Sequence, residues 1–330
     1  MKKISILFFL AVLMASCNPQ KSSNEFTITG SVPDDITGKV YLQEYKNRKY
    51  IDLDSTEIAN GKFTLTGSVA EPAIYILTPS QKSRRAQVFL DNNPLKVTLT
   101  NDWEIAGLEG SQNAEMFYTM LPASLKGTLN PDSLLLVNPA SPVAVYFLNR
   151  NIYKYGYDEL KSIREKLSAS LNNHSYVQEI DDNLSSLENV QPGKTAPDFA
   201  LQTASGDTLT LSSLRGKYVL IDFWASWCPD CRKASPRLVR LQNQYKDKNF
   251  TVLGVSIDEN RESWLAAIEK DGMNWPQVIS EGGWNSHELK AYAVRWLPTS
   301  FLVDPQGVIV DKNIEVTKLE PPTCGATQLI

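Results

Sequence analysis

The chain has 330 residues, of which 42% are hydrophobic and 21% are charged, a composition typical of folded globular proteins rather than of disordered chains. The formal net charge is -4 and no block of like charges stands out, which argues against nucleic acid as a partner. Four cysteines are too few for a disulfide-stapled scaffold, and the length predicts two or three compact units.

The first segment, residues 1–17, has the pattern of an export signal. Two lysines precede an apolar run, Ile4–Ala15, that is shorter than a typical membrane-spanning helix, and small residues follow it. The closing letters LMASC resemble the lipobox of bacterial lipoproteins, with Met14 in place of the usual leucine. The resemblance implies lipid attachment at Cys17 and a polar tether over residues 18–24. An ordinary secretory signal with an incidental cysteine is the alternative.

Residues 25–107 are predicted to form a β-rich domain that serves as a spacer or binding module. Apolar and polar residues alternate in the segments EFTITGSV, KVYLQEY, KFTLTGSV, AIYILTP and LKVTLT, and turn residues separate them. The stretches FTITGSV and FTLTGSV are near copies, at 26–32 and 63–69. They indicate either a duplicated unit or a chance similarity between two strand-and-turn segments.

Residues 108–190 are predicted to form a helical connector. Two apolar stripes at helical spacing carry this prediction: Leu160, Ile163, Leu167 and Leu171, then Val177, Ile180, Leu184 and Leu187. The stripes favour a packing surface over a cofactor site. His174 stands between polar neighbours, so we expect it at the surface. Proline and glycine in NVQPGKTAPDF then predict a domain boundary near residue 191.

The chemistry is concentrated where the apolar segment KYVLIDFWAS, a predicted buried strand, leads into WCPDC and then into a helical pattern. If Cys228 caps this helix, Pro229 takes its first position, and the free amide groups favour a thiolate at Cys228. We therefore expect an exposed, nucleophilic Cys228, with Cys231 one turn along to resolve a mixed disulfide. Asp230 opposes a thiolate but suits a first helical turn, so its net effect is open.

Asp222 lies inside the same apolar strand, where an unpaired carboxylate is costly. Burial would raise its pKa and suit it to proton exchange with Cys231. An aspartate that faces water or caps a turn is the alternative.

The segment VLIDFWASWCPDC resembles the active site of thioredoxin-like proteins. With GKTAPDFALQTASGDTLTLSSLRGKYV before it and RWLPTSFLVDPQG after it, the region from about 191 to 315 resembles the TlpA/ResA branch of exported thiol–disulfide oxidoreductases. The resemblance implies an α/β thioredoxin-like domain over residues 191–330, with a central mixed sheet flanked by helices. Residues 25–107 resemble a domain of unknown function that precedes some thioredoxin-like lipoproteins of Gram-negative bacteria.

This resemblance also implies roles for single residues. Cys228 and Cys231 would form the redox-active disulfide, and Asp222 matches the buried acid of thioredoxin. The residues implied in the substrate groove are Trp227, Pro229, Leu297 and Pro298, the last as a cis-proline.

The chain departs from the family in two places. Many members carry a glutamate where this chain has Ala234. The tail EVTKLEPPTCGATQLI contains Pro321 and Pro322 and only a broken apolar stripe, so the final helix is predicted to be short, displaced or missing. We interpret Cys324, in this tail, as incidental.

The sequence as a whole predicts a periplasmic oxidoreductase, lipid-anchored to a membrane of a Gram-negative cell envelope, that reduces protein disulfides and needs no cofactor. Its predicted partners are disulfide-containing exported proteins, with apocytochrome c a candidate, and a membrane thiol-electron donor. Oxidase or isomerase action, a redoxin-type peroxidase, a structural disulfide and a tethering lipoprotein are the alternatives. No metal is expected, because one Cys-x-x-Cys with Cys324, His174 and His287 far along the chain does not supply four zinc ligands.

Overall fold

The computed structural model describes residues 24–46, 49–245 and 247–313. Contacts divide the chain into two compact units, residues 1–128 and residues 129–330. Within the described ranges, no helix has both the length and the apolar character needed to cross a membrane.

Several predictions concern residues outside these ranges. They are the export signal over residues 1–17, the lipid attachment at Cys17, the tether up to residue 23, the short, displaced or missing final helix after Asn313, and the incidental Cys324.

The first unit is rich in β-strands, as the alternating sequence segments predict, and it contains two four-stranded sheets. Its elements are β1 (Phe26–Ser31), β2 (Lys39–Lys46), β3 (Lys49–Glu57), β4 (Lys62–Gly67), β5 (Ala73–Pro79), β6 (Ala86–Leu90), β7 (Pro94–Leu99), β8 (Ile105–Glu109) and α1 (Gln112–Leu125). The strand orders are β4-β1-β7-β8 and β3-β2-β5-β6. Along β1, β4 and β7 buried and exposed side chains alternate, which is the period-two pattern of a sheet with one buried face.

The near-copy segments at 26–32 and 63–69 contain β1 and β4, two strands that pair with each other antiparallel. In this register Phe26 lies opposite Gly67, and Phe63 lies opposite Gly30. A Cβ atom on Gly30 would come within 1.9 Å of the Phe63 ring, so only glycine leaves room for it. The repeated spacing of phenylalanine and glycine therefore has a packing function, because each copy covers the glycine of the other.

Helix α1 belongs to the first unit. Ser111 caps its N-terminus and donates a hydrogen bond to the Asp91 carboxylate, and the ring of Phe117 lies 6.0 Å from that of Phe89 in β6. The division between the compact units thus falls after residue 128 of the sequence, inside the predicted connector. The division into domains at 107 and 190 stays a prediction.

The second unit begins with four helices that precede a large sheet. They are α2 (Pro131–Val137), α3 (Pro142–Arg150), α4 (Tyr157–Lys166) and α5 (Ser175–Asn189). The predicted apolar stripes are largely buried, but the expectation of a surface His174 is wrong. His174 is buried and caps α5, since its Nδ1 accepts the Tyr176 N–H at 3.2 Å. Its polar neighbours in sequence did not reveal this capping role.

The sheet of the second unit is mixed, as expected for the implied thioredoxin-like class, and it has seven strands. Its elements are β9 (Ala200–Thr203), β10 (Thr208–Thr210), β11 (Tyr218–Trp224), α6 (Pro229–Tyr245), β12 (Phe250–Ser256), α7 (Arg261–Asp271), β13 (Gln277–Ile279), α8 (His287–Ala291), β14 (Thr299–Val303) and β15 (Ile309–Lys312). The strand order is β10-β9-β13-β12-β11-β14-β15. Strand β11 pairs parallel with β12 and antiparallel with β14, which places its carboxyl end in the middle of the sheet.

Candidate active site

The two cysteines lie at the junction between β11 and α6. Strand β11 ends at Trp224, a short turn follows, and α6 begins at Pro229. The Cys231 N–H donates to the Cys228 Sγ at 3.2 Å, and the Arg232 N–H donates to the Cys228 carbonyl at 3.1 Å. Cys228 therefore lies at the start of the helix, and its sulfur accepts a hydrogen bond from a backbone amide of the first turn. Such an amide stabilises negative charge on the sulfur.

Cys228 and Cys231 form a disulfide, with an S–S distance of 2.08 Å and 5.3 Å between their Cα atoms. The expectation of an exposed Cys228 sulfur is wrong for this oxidised form, because Cys228 is only 5% exposed. Both cysteines pack into the buried apolar cluster of the second unit. A pattern of residue types indicates which cysteine begins the helix, but not how deeply the turn is set into the core.

A buried aspartate fixes the turn before Cys228. Asp258 follows β12 and accepts hydrogen bonds from the backbone N–H and the hydroxyl of Ser226, at 2.8 and 2.6 Å. Ser256 donates a third hydrogen bond to the same carboxylate at 2.7 Å. Because β11 and β12 are parallel neighbours, their carboxyl ends meet and bring Ser226 to Asp258. This network holds the backbone that presents Cys228.

An ion pair holds the other side of the same turn. Arg232, the residue after Cys231, donates to the Ser226 carbonyl at 3.1 Å and binds the Asp271 carboxylate. The pKa of Asp271 lies below its usual range, mainly because Arg232 donates a hydrogen bond to the carboxylate. Ser226, Asp258 and this ion pair were missed in the sequence. The signal was an aspartate two residues after the apolar strand β12, at the edge of the sheet where the cysteines lie.

Asp222 is buried in β11, as predicted from its place in an apolar segment. It lies in register with Gly254 of β12 and Ser300 of β14. Among the described residues, none donates a hydrogen bond to its carboxyl group. Burial alone raises the pKa of Asp222 to about 7, because the charged form loses its hydration without gaining a partner.

The residues of the implied groove are less buried than the disulfide. Trp227 is 55% exposed, Pro229 is exposed, and Leu297 and Pro298 are half-buried. The Leu297–Pro298 peptide is cis, as the resemblance implies. A further aromatic residue, Trp284, was missed in the sequence, and its ring lies 6.3 Å from that of Trp227.

Asp230 lies on the surface of α6 and forms an ion pair with Lys233 at 2.9 Å, one helical turn away. An exposed pair of this kind contributes little to stability. Within the described ranges, no three histidine, cysteine, aspartate or glutamate side chains are grouped closely enough to hold a metal ion.

Comparison with known proteins gives two family matches. The profile of the AhpC/TSA family matches residues 192–312, and that of a domain of unknown function, DUF4369, matches residues 26–117. The first match contains both cysteines, Asp222 and the cis-proline. The second spans the two sheets of the first unit.

Individual proteins match over about two fifths of the chain. The thioredoxin-like protein YneN of Bacillus subtilis is 36% identical over 138 residues, which is 40% of this chain and 76% of YneN. The thiol-disulfide oxidoreductase ResA of Bacillus cereus is 34% identical over 132 residues, 40% of this chain and 75% of ResA. A solved thiol-disulfide oxidoreductase from Bacteroides fragilis is 42% identical, with 37% of this chain and 91% of that chain covered and a TM-score of 0.36.

The sequence identity extends over most of the length of YneN and ResA, and the structure provides the cysteine pair on which thiol–disulfide exchange depends. The chain is therefore an oxidoreductase that belongs to the ResA-like, thioredoxin-fold family of thiol–disulfide oxidoreductases.

Proposed function

We propose that this protein is exported and reduces disulfides in other exported proteins through Cys228 and Cys231. The observation that carries the proposal is the hydrogen bond from the Cys231 N–H to the Cys228 sulfur at the start of α6. It supports Cys228 as the sulfur whose thiolate is stabilised, with Cys231 as the partner within bonding distance.

The reaction begins with both cysteines reduced. The Cys228 thiolate attacks one sulfur of the substrate disulfide, so that a mixed disulfide forms and the other substrate sulfur leaves as a thiolate and takes up a proton. The Cys231 thiol loses its proton and attacks the Cys228 sulfur, which releases the second substrate sulfur as a thiolate. Two electrons have then passed to the substrate, and the protein is left with the Cys228–Cys231 disulfide. A membrane thiol-electron donor returns two electrons to this disulfide.

Asp222 is proposed to accept the proton that Cys231 loses. Its pKa of about 7 suits a group that exchanges protons near neutral pH. A carboxylate with an ordinary pKa would be a weaker base, so the burial of Asp222 supports this role. Many family members have a glutamate at the position of Ala234 that could accept this proton, and this chain lacks it.

The substrate chain is proposed to lie between the exposed Trp227 and Pro229 on one side and Leu297 and Pro298 on the other. Trp227 and Pro229 are exposed and Leu297 and Pro298 are half-buried, whereas Cys228 is nearly buried, and this difference supports the assignment. The small exposed part of Cys228 then limits attack to a chain that is already seated in the groove.

A redox titration tests directly whether the protein transfers electrons to its substrate or accepts electrons from it. We expect a redox titration of the intact protein to give a potential near that of thioredoxin, about -270 mV, because the exported compartment already supplies oxidation and a reductant must lie well below it. Tryptophan fluorescence or thiol alkylation against defined dithiothreitol ratios measures this value. A strongly oxidising potential, near the roughly -120 mV of DsbA, would replace the reductase with an oxidase.

Anchoring through Cys17 is proposed from the LMASC segment. We expect cells that express the full-length protein to incorporate radiolabelled palmitate into it, and the Cys17→Ala variant to incorporate none. Two or more acyl chains suffice for stable anchoring, so the variant should also leave the membrane fraction. Labelling that survives the substitution would contradict the lipoprotein assignment.

A further inference from the structure

The second unit contains a cavity that lies outside the cysteine site. It has a volume of about 330 Å³ and is lined by residues of the turn before α4, by α5, by the segment before β14 and by the end of β15. This volume is at the lower end of the range for ligand pockets, about 300–1,000 Å³. It suits a side chain or a small anion better than a cofactor.

The cavity is cationic. Lys154, Arg295 and Lys312 line it, and none of its described lining residues is acidic. Lys312 is half-buried, and its Nζ lies 5.3 Å from the centre of the Phe301 ring. Within the described part of the chain, neither Arg295 nor Lys312 forms an ion pair. Burial without a carboxylate partner lowers the pKa of the Lys312 ammonium, so an anion brought next to it would be stabilised.

A buried amide faces the same cavity. Asn183 of α5 is 3% exposed and lines the cavity, yet no described residue forms a hydrogen bond with its side chain. Polar side chains at this depth are usually hydrogen-bonded within the protein. The amide N–H groups of Asn183 are therefore available to a ligand oxygen inside the cavity.

The cavity lies next to the cis-proline segment. Trp296 and Thr299, which stand on the two sides of Leu297–Pro298, both line it. Thr299 begins β14 opposite Phe223 of β11, next to the strand end that leads to the cysteines. A polypeptide that lies along Leu297 and Pro298 would thus lie close in sequence to two residues that line this cavity.

We propose that this cavity binds the carboxylate of an acidic side chain in the client polypeptide, so that the enzyme prefers disulfides flanked by glutamate or aspartate. Arg295 and Lys312 supply the charge, and Asn183 supplies a directional hydrogen bond. The inference rests on the proposed function, since it requires a client in the groove. It adds a substrate class that the cysteine site alone does not specify.

Binding and turnover are measured separately with the full chain. For binding, a labelled cysteine-free peptide with two glutamates is compared by fluorescence anisotropy with its glutamine counterpart. For turnover, kcat/KM is measured on two disulfide peptides that differ in the same way. We expect the glutamate peptides to be favoured about tenfold in both assays, the discrimination that corresponds to one charged hydrogen bond of about 1.4 kcal/mol.

Three substitutions test the cavity. Arg295→Gln, Lys312→Met and Asn183→Leu should each reduce the preference to about twofold or less, while turnover of a small neutral disulfide, 2-hydroxyethyl disulfide, stays unchanged. That neutral substrate also reports whether each variant is folded. Arg240→Gln is the matched control, because it removes one exposed positive charge that does not line the cavity.

The outcomes separate the two proposals. Equal binding of glutamate and glutamine peptides, or an equal loss in Arg240→Gln, would overturn the acidic-client site and leave the oxidoreductase intact. Preferential binding without any turnover would instead overturn the proposed reduction.

The chain's own Glu315 and Glu320 are another source of carboxylate. A preference that emerges only after both are changed to glutamine would assign the cavity to that segment and overturn the client proposal.

Discussion

The Cys228→Ser variant is expected to lose insulin-reducing turnover by at least about a thousandfold, the scale seen when an enzyme loses its nucleophile. Serine cannot supply a thiolate at the start of α6, although its hydroxyl can still accept the Cys231 N–H and preserve the turn. Cys231→Ser should behave differently. It keeps the attacking sulfur but cannot resolve the mixed disulfide, so the protein should accumulate as a covalent adduct with its substrate.

The first measurement is insulin-reduction turnover with dithiothreitol. The second is non-reducing electrophoresis of the adduct, formed by mixing the reduced variant with insulin after the dithiothreitol has been removed. Cys324→Ser is the matched control, since it removes a thiol that is predicted to be incidental. It should retain full turnover. Equal turnover in Cys228→Ser and the wild type would reject the catalytic assignment, and an adduct trapped in Cys228→Ser instead of Cys231→Ser would reverse the roles of the two cysteines.

The second large effect concerns stability. In the unfolded chain Asp222 has a pKa of about 3.8, and burial raises it to about 7 in the folded protein. Between these pH values the folded protein holds a proton that the unfolded chain has released, so raising the pH destabilises the wild type. A difference of about three between the folded and unfolded pKa values corresponds to about 4 kcal/mol in the free energy of unfolding. We expect Asp222→Asn to gain stability relative to the wild type, by up to about this amount, as the pH rises from about 4 to about 8.

Denaturant unfolding of the oxidised proteins at several pH values measures this difference. Asp247→Asn is a control, because it removes a carboxylate that is exposed to solvent. Its difference from the wild type should stay constant with pH. A constant difference for Asp222→Asn as well would mean that Asp222 is solvated in the folded protein, and it would remove the argument for Asp222 as the proton acceptor of Cys231.

Much of the fold follows from local patterns. Alternating residues predicted β1, β2, β4, β5 and β7. In β1, β4 and β7 the alternation reflects one buried face, whereas β5 is buried along most of its length. The edge strand β3 was not predicted. Most of its side chains are exposed, so buried and exposed residues do not alternate along it. The near-copy segments were visible in the sequence, but their meaning depended on the pairing of β1 with β4.

The sequence by itself determined the chemistry of the central site. A charged residue inside the apolar segment that became β11 predicted a buried Asp222, and the Cys-x-x-Cys spacing at a strand-to-helix junction predicted a capped sulfur and a second one within reach. Both predictions depend on residues that are close together along the chain. Strand and helix geometry then places them without knowledge of the rest of the fold.

Only the tertiary structure decided what surrounds that site. The hydrogen bonds of Ser226 with Asp258, the contact of Arg232 with Asp271, and the cavity that joins Asn183 to Arg295 bring together residues far apart in sequence. Their positions depend on the order of strands in the sheet and on where the helices of the second unit pack. Local residue patterns do not specify that order, because the same buried strand could lie at several positions in a sheet.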